Sequence, residues 1–463
     1  MQGWGNGAAR PIPFSRFSLP PILTSVKLGV ISLGCDKATV DSERLVGELV
    51  GHGACVVPEV ELADVILLNT CGFIDAAKEE SIEAILGAAA LKKEGRVKAV
   101  VAVGCLVQRY LAELRSEIPE VDLFLGFHEL HHLVPELAAR GFIADPIADH
   151  PGVRQYLGDA RHVRYLKISE GCDHTCAFCA IPLMRGRHRS EPLERLLREA
   201  RQLEADGAKE LNLVAQDLGH YGRDLGPGGP RLPDVLEALL RETSVPWLRL
   251  LYVYSAGLTD RLIELMAREP RIVPYLDIPI QHASDAVLER MRRPERRDTL
   301  RDKVARLRAA IPDIALRTTT IVGFPGETDD DFRVLCDFAE ELQFERLGVF
   351  TYSEQEGTRA QAYPDDVPEE VKRARQDELL ELQRIISQDR LGRYVGREVE
   401  VLVDRLADPS EEGVTHVGRI MWQADDVDGV TYVRQGGWAR SGDFVRVRVE
   451  DNVDYDFTAV GIA

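Results

Sequence analysis

The segment VRYLKISEGCDHTCAFCAIPLMRGRHRS, residues 163–190, opens with a strand-like run and then sets Cys172, Cys176 and Cys179 on one loop in a C-x3-C-x2-C array. Branched and aromatic residues recur through Val163 to Ser169 as a strand requires. Three thiolates on a single loop can hold three corners of a four-iron, four-sulfur cluster. The fourth iron then stays free for a small molecule to chelate through amine and carboxylate. The alternative is structural zinc, with His174 or a distant residue completing a tetrahedral site. Zinc ribbons usually carry two separated C-x2-C pairs in a small domain, whereas this loop leaves a strand of a large α/β region and has Phe178 just before its last cysteine.

Toward the C-terminus the pattern repeats in ELNLVAQD (210–217), WLRLLYVY (247–254), YLDIPIQ (275–281), LRTTTIVGF (316–324) and RLGVFTYS (346–353). Six strands alternating with helical stretches predict a partial (β/α), TIM-like barrel over 162–392, with its active site at the C-terminal strand ends. The break Pro364–Pro368 precedes a charged helix from about Glu369 to Gly392. Beyond it, 393–463 reads as a small antiparallel β-barrel, from short alternating strands such as REVEVLVD and DFVRVRVE between Gly and Asp turns.

Toward the N-terminus, KLGVISLGC, DVILLNTC and VKAVVAVGC each end a β-branched run in a cysteine: Cys35, Cys71 and Cys105. With helices between them, these runs predict a parallel α/β sheet domain over 25–132. Ligands of open parallel sheets bind beyond the carboxyl ends of strands, so the three thiols can converge on a second cluster; the alternative is three unrelated buried thiols. Cys55 and Cys336 have no such company and are assigned to packing. Residues 133–161, with Pro146, Pro151 and Gly152, read as a linker, and residues 1–24 as a disordered tail.

The net charge is −19. That disfavours a broad grip on nucleic acid, whose affinity rests on Lys and Arg neutralising phosphates. No run approaches the ~20 apolar residues of a membrane helix. Without a secretory signal the chain is expected in a reducing cytoplasm, where eight cysteines point to metal or redox chemistry rather than disulfides.

The cysteine spacing and Phe178 resemble the radical S-adenosylmethionine superfamily. In that superfamily such strand ends contact the nucleoside, which makes Phe178, Gln216, Gln281 and the turn at Gly323 candidate cofactor contacts. Any one of the strand ends could instead be an ordinary strand-turn-helix junction. Together with the N-terminal cysteines and the terminal barrel, the pattern resembles the methylthiotransferases over almost all of residues 26–463. Within them, NTCGFIDAAKEESIEAI (69–85), YLKISEGCDHTCAFCAIPLMRGRHRS and IPIQHAS (278–284) are similar to the ribosomal-protein aspartate methylthiotransferase family. Lys37, two residues after Cys35, is that family's form, although Asp36 and Ala38 depart from its usual Pro and Asn.

The resemblance implies two 4Fe-4S clusters, S-adenosylmethionine, and a reductant such as flavodoxin or ferredoxin. One cluster, on Cys172, Cys176 and Cys179, would generate a radical that abstracts hydrogen from the β-carbon of an aspartate in small-subunit ribosomal protein twelve. The other, on Cys35, Cys71 and Cys105, would deliver the methylthio group, giving β-methylthio-aspartate. No side chain is assigned as an acid-base catalyst. The terminal barrel is implied to be a TRAM domain that carries the substrate toward the radical site. Residues 395–463 hold 14 carboxylates, 7 arginines and no lysine. A basic ribosomal protein suits that surface better than transfer RNA. A methylthiotransferase acting on a transfer-RNA adenosine is the nearest rival, and a non-catalytic zinc module binding nucleic acid is a more distant one.

Overall fold

The computed structural model describes residues 25–143, 154–157 and 161–462. The tail expected over 1–24 and most of 144–160 therefore lie outside the described residues. In the first sheet the spatial order is Ala54–Val56, Val26–Ser32, Val65–Thr70, Ala99–Gly104 and Leu123–Leu125, all parallel. The strands Val65–Thr70 and Ala99–Gly104 are buried at every position. Helices cover both faces, which is why these strands read as near-continuous apolar runs. Leu45, Val46 and Leu49 of helix Asp36–Gly51 pack on Leu28, Leu67 and Val101, while Ile85 and Ala88 of helix Asp75–Lys93 pack on Ile66 and Val100. Register pairs Ser32 with Asn69 and Thr70 with Gly104, so the strands carrying the three cysteines finish level at one edge.

The stretch read as a linker begins with structure. Residues Leu133–Ala139 form a helix whose Leu133, Val134 and Leu137 pack into the first sheet's core. Proline at its third position suits a first helical turn, where no intrahelical N–H is needed. Cys55 also departs from expectation: it is exposed on the short edge strand, while Cys336 is packed beside the second core.

The second sheet has six parallel strands in sequence order, from Val163–Lys167 through Glu210–Val214, Trp247–Leu250, Ile272–Asp277 and Ala315–Val322 to Arg346–Thr351. Alternate residues divide its two faces. Leu166, Leu211, Leu213, Leu248, Leu250, Leu276 and Leu316 join the helices in the largest core. The other face carries Glu210, Asn212, Arg249, Asp277 and Arg317, and it is covered by the C-terminal domain.

That domain is a closed five-stranded barrel of Glu398–Leu406, His416–Ile420, Thr431–Arg434, Asp456–Gly461 and Phe444–Val453. It is not wholly antiparallel, because Thr431–Arg434 and Asp456–Gly461 pair in parallel. Side-chain alternation fixes which face is buried and is blind to strand direction. Val401, Leu402, Ile420, Trp422 and Phe457 form one core with Val163, Trp247, Val273 and Tyr275 of the second sheet, and Trp247 meets Phe444 edge to face at 5.1 Å. The barrel is thus docked against the sheet. Among the described residues no helix is long and apolar enough to cross a membrane.

The docking turns on Glu210, which accepts from Arg249 Nε at 2.6 Å and from Arg419 Nη1 at 2.7 Å, all three being fully buried. Burial alone pushes the Glu210 carboxyl up, but Arg249 and Arg419 outweigh it and hold it below the ordinary glutamate range. Its stabilising share is present at neutral pH and lost as pH falls through that lowered value. Replacing Glu210 with Gln leaves two buried guanidinium groups short of a counter-charge and should cost about 3–5 kcal/mol. Urea unfolding at pH 7 should show it, with the gap to wild type narrowing under acid conditions.

Candidate cofactor site between two cysteine triads

The radical-type loop is clamped at its base by a two-stranded ribbon in which Ser169–Glu170 pairs antiparallel with Arg189–Ser190. Gly171 has φ +77, and a Cβ there would lie 2.2 Å from the carbonyl oxygen of Arg187, so only glycine passes this crossing. Beyond it, Cys172 N donates to Gly186 O at 3.1 Å, Ala177 N to Met291 O at 2.9 Å, and Ala360 N to Ala177 O at 2.9 Å. These bonds hold the loop at the C-terminal end of the second sheet, where the charges of Cys172, Cys176 and Cys179 bear on one another. Burial first, then the neighbouring Cys176, pushes Cys179 up to about 12. Burial likewise pushes Cys172 up to about 11.

At the edge of the first sheet, Cys35 precedes helix Asp36–Gly51, Cys71 follows Thr70, and Cys105 opens the short helix Cys105–Arg109. A Cβ added at Gly34 would sit 3.4 Å from Cys71 Sγ, which brings the first two loops together. Burial pushes the Cys105 thiol up to about 11 against the pull of Arg185, and Cys35 and Cys71 add to the rise. Cys71 is raised for the same first reason, with Cys35 contributing.

Contacts join the cysteine end of the first sheet to the second. Cys105 packs with Ala180 and Met184, from the segment just after Cys179, and with Phe127 and Ile181. Arg109 reaches Gln355 at 2.9 Å, Asp75 accepts from Ser353 at 3.2 Å, and the Lys37 ammonium lies 3.5 Å from the centre of the Tyr252 ring. Arg185 is the central link. Its Nη1 donates to Asp41 at 2.8 Å and to both oxygens of Glu170 at 3.0 Å, its guanidinium lies 4.4 Å from the Phe127 ring centre, and Lys167 bonds the same two carboxylates.

The other expected contacts divide. Gln216 Nε2 donates to Glu170 at 3.0 Å, and its Oε1 is buried with no partner among the described residues, as is Arg185 Nη2. Phe178 is half-buried against Ala177, Met291 and Phe324. Gln281 takes a left-handed φ of 69°, held by its N bonding Thr319 O and its O accepting from Ile321 N, both at 2.8 Å. That conformation is costly for a non-glycine and clusters at functional positions. At Gly323 the Lys372 side chain would lie 2.2 Å from an added Cβ, and the Gly323 N–H donates to Glu327. His174 is engaged elsewhere, with Nε2 2.8 Å from Asp217 Oδ2 and its ring stacked on Tyr254 at 4.0 Å. His174, Asp217 and His220 do bring one ligand atom each within 4.8 Å of one another. Asp217 Oδ1, however, is already taken by Gly219 N and Tyr254 N. Tyr254, Arg185 and Arg293 were not singled out from sequence, although Tyr254 ends the run WLRLLYVY, where strand-end reasoning could have found it.

Comparison with known proteins follows the same three parts. Residues 27–126 match the model described as uncharacterized protein family UPF0004, 166–339 the radical SAM superfamily, and 395–462 the TRAM domain. The chain is 45% identical over 439 residues to the ribosomal protein uS12 methylthiotransferase RimO of Geobacter sulfurreducens, covering 93% of this chain and 97% of the relative. It is 46% identical over 446 residues to the protein of the same name from Anaeromyxobacter sp. strain Fw109-5, covering 95% and 94%. Among solved structures, it is similar to the radical S-adenosylmethionine methyltransferase TsrM from Kitasatospora setae, with a TM-score of 0.54 and 14% identity over 71% of this chain and 73% of that one. The cobalamin-dependent radical enzyme OxsB gives a TM-score of 0.51 and 13% identity over 78% of this chain and 56% of that one. These two show a shared fold.

Asp41→Asn removes one of two carboxylates facing Lys167 and Arg185, leaving an excess buried positive charge at the junction. Stability should fall by about 3–5 kcal/mol, read as a lower urea midpoint. Arg44→Ala, which removes half-screened pairs with Glu191 and Glu199, should cost less.

Proposed function

We propose how the reaction is divided within a chain that belongs to the ribosomal protein uS12 methylthiotransferase (RimO) family and is, as such, a radical S-adenosylmethionine methylthiotransferase. Cys172, Cys176 and Cys179 hold one 4Fe-4S cluster, and Cys35, Cys71 and Cys105 hold a second. The observation that supports this reading is the packing of Cys105 against Ala180 and Met184, just after Cys179, with Arg185 beside the Cys105 thiol. The donors suit such groups: thiols held as high as Cys105, Cys172 and Cys179 become thiolates at neutral pH when a cation binds them. When bound, the clusters with S-adenosylmethionine supply a carbon radical at the first set and a methylated sulfur at the second.

The chain's own residues then position and shield. An unactivated C–H bond offers no proton for a general base, so no acid-base side chain is required at the reacting carbon. Gln216 Oε1, buried and without a hydrogen-bond partner among the described residues, is a polar group free to orient a ligand carrying an amine. Ala180 and Met184 are buried against Cys105, and a reacting carbon kept from water there is protected from solvent hydrogen donors. Phe178, Gln281 and the turn at Gly323 remain candidate contacts.

The substrate is ribosomal protein uS12, and the product is β-methylthio-aspartate on one of its side chains. The acidic C-terminal barrel favours a basic protein partner over transfer RNA through long-range attraction. Such a reaction takes place in the cytoplasm, with electrons from a flavodoxin- or ferredoxin-class donor.

Mass spectrometry of uS12 from cells lacking the gene should show loss of one methylthio group in place of hydrogen on a single aspartate. An unchanged uS12 with an altered transfer RNA would point to the adenosine-modifying reaction instead. Alanine at all three of Cys35, Cys71 and Cys105, or at all three of Cys172, Cys176 and Cys179, should each lower bound iron by about half in anaerobically loaded protein. Stoichiometric zinc in the wild type would contradict both assignments.

A further inference from the structure

Beside Cys176 stands a stack that the division of labour above does not use. The Tyr254 ring lies between the His174 imidazole, 4.0 Å away and tilted by only 11°, and the Arg293 guanidinium, whose Cζ is 3.7 Å from the ring centre. Tyr254 and Arg293 are 5% and 4% exposed. Both point hydrogen-bond donors at the same sulfur, with Tyr254 Oη 3.8 Å and Arg293 Nη1 3.9 Å from Cys176 Sγ. The stack is fixed from outside. Asp217 takes His174 Nε2 with one oxygen and the Tyr254 N–H with the other, while Arg293 Nη2 donates to Pro279 O at 2.6 Å and Nε pairs with Glu295 at 3.3 Å.

Neither donor has another evident purpose at this sulfur. A phenol is protonated at neutral pH and a guanidinium always charged, so each presents a positive hydrogen to whatever charge Cys176 carries. Hydrogen bonds to cluster sulfurs are among the features that set cluster potentials. The sign follows from electrostatics: one-electron reduction makes the cluster more negative, and donors at a ligating sulfur stabilise that state more than the oxidised one.

We propose that Tyr254 and Arg293 raise the reduction potential of the cluster ligated through Cys176, and that His174 with Asp217 act as positioning residues that hold the Tyr254 hydroxyl on its sulfur. The Cys172, Cys176, Cys179 set would thereby be easier to reduce than its thiolates alone allow, which suits a centre that must accept an electron from a soluble protein donor before it can act. This inference rests on the assignment of those cysteines as cluster ligands.

The test is an anaerobic redox titration of the loaded enzyme followed by electron paramagnetic resonance, using the part of the reduced signal that S-adenosylmethionine perturbs. Tyr254→Phe keeps the ring in its stack and removes only the hydroxyl. At a fixed poise near the wild-type midpoint its reduced-to-oxidised ratio should fall several-fold; a tenfold fall corresponds to ~59 mV for one electron. Arg293→Lys should move the potential the same way, and serves if the phenylalanine variant fails to load iron. Adding His174→Phe to Tyr254→Phe should shift it no further. An unmoved or more positive midpoint in both Tyr254→Phe and Arg293→Lys, with iron content intact, overturns the proposal. Unchanged iron content in Cys176→Ala would instead overturn the ligand assignment beneath it.

Discussion

Two cations and two carboxylates meet out of water where the two cysteine-bearing sheets join. Lys167 and Arg185 share Asp41 and Glu170, and the four side chains come from the first strand of one sheet, the loop that follows it, and the helix that begins after Cys35. Their charges balance, so the cluster can be buried. Losing one member would leave an uncompensated charge, which is far costlier than the net worth of the whole set. Each triad is pinned to this cluster within a few residues. Glu170 is two residues before Cys172, Arg185 caps the segment after Cys179, and Asp41 lies one and a half turns into the helix that Cys35 starts. Ionic packing thus joins the two cysteine-bearing domains, with Arg154 adding a further bridge from Glu43 to Glu199.

A second buried ionic set does corresponding work on the face of the barrel. Glu210, Arg249 and Arg419 sit beside the apolar core of the interface and join the C-terminal barrel to the second sheet. The consequence for function is positional. A domain docked this way presents its acidic outer surface at a fixed angle to the strand ends, so attraction of a basic protein is directional as well as general.

Much of this was legible in the sequence because the decisive features are local. Parallel strands covered on both faces announce themselves as short apolar runs, and a cysteine just past each of three runs must lie at one sheet edge. The Cys172 loop is likewise contiguous. What escaped depended on closure of the fold. Tyr254 and Arg293 are 78 and 117 residues from Cys176, and no periodicity links them. Glu210 and Arg249 look like ordinary surface charges in a strand, because an inward face covered by another domain has no signature of its own. That Lys372 packs against Gly323 likewise depends on the closed fold. The parallel pair in the terminal barrel was hidden for a simpler reason: alternation carries no sense of direction.

The claim at the centre is that the two triads do different jobs on one substrate. It is tested most directly by incubating uS12 with S-adenosylmethionine, a reductant and enzyme in which Cys35, Cys71 and Cys105 are all alanine, and measuring the mass of uS12 together with cleaved cofactor. The account predicts that 5′-deoxyadenosine still forms while uS12 gains no methylthio group. Methylthio-bearing uS12 from that variant would contradict it.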